Sequence, residues 1–316
     1  MVEHSGNGTA FVFPGQGSQY VGMGKDLYDS VESCRDLFGR ADDIVGFSLS
    51  SACFEGPEDE LKRTDVCQPA ILVHSAAVLK AMEEHGFQAE SSVTGGLSLG
   101  EYTALFHAGV ISFEQAVALV HKRGQLMQQA SDASESGMAS ILKLAPGRVE
   151  EVLQEIDGTV VISNLNCPGQ VVISGEKGPL GKAVEALKQE EKARVIPLRV
   201  AGAFHSPVME PARKGLSQVL QEMEFNKPRI PVFSNATGKC SEDPALLKEN
   251  IIRQLVDPVL WERCVRGMMD SGVTTFCEIG PGKVLQGLNR RISGDIDTIS
   301  LATGEQISEY AEGKKP

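Results

Sequence analysis

The chain has 316 residues, 41% of them hydrophobic and 23% charged. That is enough apolar material for a sizeable core in one large domain or two, and it excludes disorder over most of the length. A formal charge of −12 argues against nucleic acid as a partner, because neutralising phosphates needs a basic surface.

Seven cysteines (Cys34, Cys53, Cys67, Cys167, Cys240, Cys264, Cys277) are scattered, with no C-x-x-C. The pattern predicts reduced thiols in a cytosol-like compartment, with neither a disulfide framework nor a metal site. The N-terminus "MVEHSGNGTAFVF" lacks the basic and apolar regions of a signal peptide. No apolar run is long enough for a membrane span.

In chain order, "TAFVF" predicts a buried strand over about Thr9–Phe13, running into the Gly/Pro loop "PGQGSQ". The stretch "QPAILVHSAAVLKAMEEHG" has helical spacing and ends at Gly86. A short strand then leads to Ser98, followed by helices over about Leu99–His107 and Phe113–Ala130. Alternating strands and helices predict a parallel sheet covered on both faces.

The stretch "QQASDASESGMAS" reads as a polar break. Beyond it, "MASILKL", "PGRVEEVLQEI", "TVVISNLN", "QVVISG", "GPLGKAVEALKQEEK" and "ARVIPLRV" follow the order βαββαβ. That order closes on itself as a small ferredoxin-like layer, so residues 132–199 are expected to be an insertion. Residues 1–131 and 200–316 then form one discontinuous large subdomain. In its second part, "PARKGLSQVLQEM", "PALLKENIIRQL", "PVLWERCVRGMMDSG" and "KVLQGLNRRI" predict helices. The strands there are "RIPVFSN", "TTFCEIGPG" and "DTISL", and the polar tail "GEQISEYAEGKKP" is expected to fray.

Gly96-Leu97-Ser98-Leu99-Gly100 matches G-x-S-x-G between a strand and a helix. Such a turn lifts the serine hydroxyl out of the sheet and aims the next amide, that of Leu99, at an oxyanion. The bland alternative is a Gly-rich turn with an incidental serine. A nucleophilic serine needs a base. His4 lies in the tail, and His74, His85, His107 and His121 sit in helical patterns, where a structural histidine is the better reading. His205 differs: it follows a strand, in a loop bounded by Gly202 and Pro207. No acid stands out to complete a triad, so a neutral acceptor is expected on the other ring nitrogen. Gln16 either adds a second oxyanion donor or belongs to a plain βα turn, and this is not a phosphate-binding Walker loop. Composition favours a solvated Arg123; the alternative is a fork that grips a carboxylate.

The blocks "FVFPGQGSQYVGMGKDLY", "QPAILVHSAA", "GLSLGEYTAL", "RGQLMQ", "NLNCPGQVVISG", "AFHSPVM", "RQLVDPVLW" and "EIGPGKVLQGL" occur in order from about residue 9 to 301. Together they resemble the malonyl-CoA:acyl-carrier-protein transacylase family of fatty-acid synthesis. The resemblance implies an α/β-hydrolase-like large subdomain with the ferredoxin-like one inserted. It implies Ser98 as acylated nucleophile, His205 as base and acid, and Gln254 as the group that orients His205. It further implies oxyanion donors at Gln16 and Leu99, Arg123 pairing with the malonyl carboxylate, and Gln68 and Asn166 in the cleft.

Many family members carry His before the nucleophile, where this chain has Leu97, as plastid-type members do. The turn does not require histidine there. The "AFHS" block resembles malonyl-selective rather than methylmalonyl-selective enzymes. The resemblance implies ping-pong transfer, with a coenzyme A thioester as substrate and no cofactor. A monomer is expected, cytoplasmic, or in the plastid stroma after loss of a transit peptide. An acidic carrier protein needs a basic landing patch on this acidic chain. Arg290, Arg291, Lys192 and Arg194 are the candidates, against a plain reading as solvated charges. The rival functions are a serine thioesterase and a non-catalytic carrier-protein-binding module.

Overall fold

The computed structural model describes residues 8–87 and 91–314; His4 lies outside them. β1 (Gly8–Phe13) leads into the helices α1 (Lys25–Ser30), α2 (Glu32–Val45), α3 (Leu49–Glu55), α4 (Glu58–Leu61) and α5 (Thr64–Glu84). β2 (Val93–Gly96), α6 (Gly100–His107) and α7 (Phe113–Asp132) follow. The next unit is β3 (Ser136–Leu142), α8 (Pro146–Gln154), β4 (Val160–Cys167), β5 (Gln170–Glu176), α9 (Lys177–Lys188) and β6 (Arg194–Pro197). The chain ends through α10 (Glu210–Gln221), β7 (Val232–Ser234), β8 (Lys239–Ser241), α11 (Pro244–Arg253), α12 (Trp261–Asp270), β9 (Val273–Ile279), α13 (Val284–Ile292), β10 (Asp297–Leu301) and α14 (Gly304–Ala311).

The larger sheet has the order β10-β9-β1-β2-β7-β8 and is parallel except for β8 at its edge. Its inner strands are short apolar runs such as "AFVF", as expected when helices cover both faces. The smaller sheet, β4-β5-β3-β6, is antiparallel, with α8 and α9 packed on its own apolar cluster. This is the ferredoxin-like layer that the βαββαβ order predicts.

α5 runs through the middle of the large subdomain and is buried nearly all round. It starts four residues before Gln68 and carries Pro69 inside it. Proline has no N–H for the carbonyl four residues back. That carbonyl, of Asp65, instead faces His121 Nδ1 at 3.0 Å.

Three expectations need correction. The polar break is mostly regular structure: α7 continues to Asp132 and β3 starts at Ser136. Ala130 and Ser131 are buried, and Ser131 Oγ donates to the Met127 carbonyl, so the composition hides an inward face. The stretch "PVLWERC" becomes helical only at Trp261. Before that, Val259 is extended and exchanges backbone hydrogen bonds with Ser163 and Leu165 of β4, tying the two subdomains together. The polar tail does not fray at residue 304 but forms α14. Thr303 caps it through the Gln306 amide, Ile307 is buried, and Tyr310 stacks on Phe87 at 5.3 Å. Among the described residues no helix is long and apolar enough to cross a membrane.

Candidate active site

The turn from β2 to α6 places Ser98 at the C-terminal end of the parallel sheet, where ligands bind in such folds. Ser98 has φ +51°, in the left-handed region that L-residues seldom adopt. The tight turn requires Gly100, because a Cβ there would overlap the Phe13 carbonyl. Asn235, just after β7, clamps the turn. Its Oδ1 accepts from the Ser98 amide at 2.6 Å and its Nδ2 donates to the Gly96 carbonyl at 2.8 Å. These bonds help hold the strained residue in place.

The Ser98 hydroxyl lies 2.8 Å from His205 Nε2. His205, also at positive φ (+55°), donates from Nδ1 to the main-chain carbonyl of Gln254 at 2.6 Å. A carbonyl only accepts, so the proton sits on Nδ1 and Nε2 is left bare to receive the serine proton. The expected neutral acceptor is thus a backbone group. Burial and, secondarily, the Arg123 charge push the imidazole down to about 4, against the pull of the Gln254 hydrogen bond.

Arg123 is not solvated: it is 1% exposed. Its guanidinium lies over the Tyr102 ring at 5.1 Å. Nη1 donates to Gln68 Oε1 at 2.8 Å, and Nη2 donates to Ser98 Oγ and Gln254 Oε1, both at 3.0 Å. Composition alone misplaces this residue because the neutral acceptors around it come from α5, the Ser98 turn and the end of α11. Gln68 is fully buried and reaches the site through Arg123 rather than lining the cleft.

A cleft of about 330 Å³ lies between the two sheets. Gly15, Gln16, Ser98, Leu99, Arg123 and His205 line one side. Met138, Asn164, Asn166 and Val172 of the small sheet also line the cleft, together with Leu288 of α13, Leu198 and Phe204. Larger hollows lie away from this chemistry, including one of about 770 Å³ beside His107. Gly15 packs against the Leu97 carbonyl, too close for a Cβ, which brings the Gln16 loop onto the Ser98 turn. Leu99 is the N-cap of α6, where the first amides have no intrahelical acceptor. Asn166 is 8% exposed and its Oδ1 has no hydrogen-bond partner among the described residues.

Of the four basic docking candidates, Arg291 donates to Gln170, a cleft-lining residue, at 3.0 Å. Arg290 bonds Thr298 on β10. Lys192 and Arg194 are exposed at the start of β6, which reaches the cleft only past its other end, through Leu198. Among the described residues no three His, Cys, Asp or Glu side chains converge as a metal would require.

Two buried residues of the site are absent from the sequence reading. One is Asn235; the other is Glu101, one turn beyond Ser98 on α6. Glu101 Oε2 accepts from Gln254 Nε2 at 2.6 Å and from the Asn235 amide at 3.0 Å. Burial pushes its carboxyl up to about 7, opposed by those donors. The available signals were an asparagine just past a strand end and an acid on the nucleophile's own helix.

A strand-turn-helix serine, a histidine with a fixed tautomer and a buried guanidinium define a serine acyl-transfer type of site. The chain belongs to the acyl transferase domain family, whose model matches residues 10–302. Among its relatives, the malonyl CoA-acyl carrier protein transacylase of Bacillus subtilis (strain 168) is 43% identical over 301 residues, 94% of each chain. The crystal structure of malonyl CoA-acyl carrier protein transacylase from Clostridium perfringens superposes with a TM-score of 0.91 at 38% identity, covering 97% of this chain and 96% of that one. A malonyl-transacylase in complex with its holo type II PKS acyl-carrier protein gives 0.93 at 37% identity, covering 98% of this chain and all of that one.

Proposed function

We propose that this chain moves a malonyl group from coenzyme A to the pantetheine thiol of an acyl carrier protein, supplying fatty-acid synthesis, by way of a malonyl ester on Ser98. The observation that carries the reading is the buried Arg123 guanidinium, 3.0 Å from the Ser98 hydroxyl. A site for uncharged acyl groups has no use for a buried cation at the reacting atom. A substrate carboxylate would take over the fork through two parallel charge-assisted hydrogen bonds.

In the first half-reaction His205 Nε2 takes the Ser98 proton while Oγ attacks the thioester carbonyl. The Gln16 and Leu99 amides receive the oxyanion; losing one such donor costs about 10²–10³ in rate. The C–S bond breaks, and the imidazolium returns its proton to the departing sulfur. In the second half-reaction His205 Nε2 takes the proton of the pantetheine thiol, whose sulfur attacks the ester carbonyl; the C–O bond to Ser98 breaks and the imidazolium returns that proton to Oγ. The Gln254 carbonyl holds Nδ1–H throughout, so Nε2 is always the group that exchanges protons. The scheme uses the coenzyme A thioester as substrate and calls on no further cofactor.

The small sheet closes one side of the cleft, which limits water and so favours thiol over hydrolysis. The unpaired Asn166 Oδ1 offers an acceptor to the amide-bearing arm of a pantetheine thioester. The acidic carrier protein meets a basic rim at Arg290 and Arg291, with Arg291 at the cleft. Removing the cation tests the central observation. Arg123→Ala is expected to lower kcat/KM for malonyl-CoA by about 10- to 100-fold more than that for acetyl-CoA. Equal loss on both substrates would refute the assignment of Arg123.

A further inference from the structure

We propose that Glu101 is a positioning residue that fixes the orientation of the Gln254 side-chain amide and so keeps Arg123 free to take a substrate carboxylate. The inference deepens the malonyl reading and rests on it for the identity of that carboxylate.

The Gln254 side chain stands between a group that only donates and a group that accepts. Its Oε1 takes a hydrogen bond from Arg123 Nη2 at 3.0 Å. Its Nε2 donates to Glu101 Oε2 at 2.6 Å and to the Ser98 carbonyl at 3.0 Å. A flipped amide would set N–H groups against the guanidinium and an oxygen against both acceptors, so one orientation alone satisfies the set. Glu101 also holds the Asn235 amide, and Asn235 in turn clamps the Ser98 turn.

The arrangement places a carboxylate near a buried guanidinium but inserts a neutral amide between them. A carboxylate in direct contact with Arg123 would occupy the fork and satisfy its charge. Through the amide, Arg123 is oriented by a weaker acceptor that a ligand carboxylate can outcompete. Gln68 Oε1, on the other side of the guanidinium, is a neutral acceptor too. Glu101, at the shorter of the two Nε2 contacts and together with the Ser98 carbonyl, thus fixes the amide while its charge stays off the fork.

The test compares kcat/KM for malonyl-CoA and for acetyl-CoA, with active sites counted by a fluorophosphonate that labels the serine. The unsubstituted enzyme is measured first; no preference for malonyl-CoA there would remove the malonyl reading, whatever the variants do. Given that preference, Glu101→Ala is expected to reduce the malonyl-to-acetyl ratio about tenfold or more. Glu101→Gln, which keeps an acceptor for Gln254, is expected to hold the ratio at or above the parent value. The isosteric exchange Glu101→Gln with Gln254→Glu moves the carboxylate onto Arg123 and is expected to reduce the ratio at least about tenfold. It remains decisive if Glu101→Ala does not fold. A ratio unchanged in the exchange variant, or lost equally in Glu101→Gln and Glu101→Ala, would overturn the proposal, since a residue that only supports folding would not move this ratio with charge placement.

Discussion

His205 is held neutral by burial, and that sets its pH behaviour. An imidazole pushed down to about 4 is already a free base across the neutral range. Protonation abolishes its capacity to accept, so the acid limb of kcat/KM for malonyl-CoA is expected near the depressed value. The profile is predicted to be flat from about pH 5.5 to 8. A half-maximal point near pH 6.5 would contradict the burial argument. At this scale Ser98 and His205 are legible from the chain because a turn pattern and a loop position announce them. Arg123 is legible only through the family resemblance. Asn235 and Glu101 are not legible, because their role arises from hydrogen bonds spanning more than 130 positions in sequence.

The turn between β2 and α6 concentrates the geometric demands of the fold in few atoms. Gly100→Ala would drive a methyl group into the Phe13 carbonyl, so β1 or α6 must shift. The cost is expected to exceed about 3 kcal/mol, with fluorophosphonate labelling lost in whatever remains folded. Normal labelling in a normally stable variant would show that the turn tolerates displacement. Helix α14 makes a second prediction. Ile307 is fully buried, and Ile307→Ala is expected to cost about 2–4 kcal/mol in chemical unfolding; a loss under about 0.5 kcal/mol would mean that the tail is only loosely attached. The βαββαβ unit was readable because short apolar runs alternate with clear turn residues. α14 was not, because one buried isoleucine and a threonine cap carry it through a polar sequence. The bridge at Val259 escaped for a different reason: its hydrogen-bond partners lie on β4, in the other subdomain.

For the whole molecule, buried ionisable groups set the response to acid. His74, His107 and His205 are all pushed from 6.5 down to about 4, mainly by burial. Below pH 6.5 the unfolded chain binds protons at these positions and the native state does not, so stability falls with pH. Glu101 and Glu278 are pushed from 4.5 up to about 7 and act in the opposite sense over that window. Three groups against two leave stability nearly level around neutrality and falling below about pH 6. Urea midpoints from pH 7.5 to 4.5 check this; a rise toward acid would reverse the argument. The proposed docking of the carrier protein on charge is tested separately. Reversing Arg290 and Arg291 to Glu is expected to raise KM for the carrier protein several-fold and leave that for malonyl-CoA nearly unchanged. Equal effects on both would count against the α13 rim.

The central claim concerns one oxygen atom, and intact mass spectrometry reads it directly. Brief exposure to malonyl-CoA is predicted to add one malonyl group, mapped to the peptide carrying Ser98 and discharged by holo acyl carrier protein. A folded Ser98→Ala variant is predicted to take no label and to exchange nothing. Label on another residue, or transfer that continues in that variant, would contradict the account.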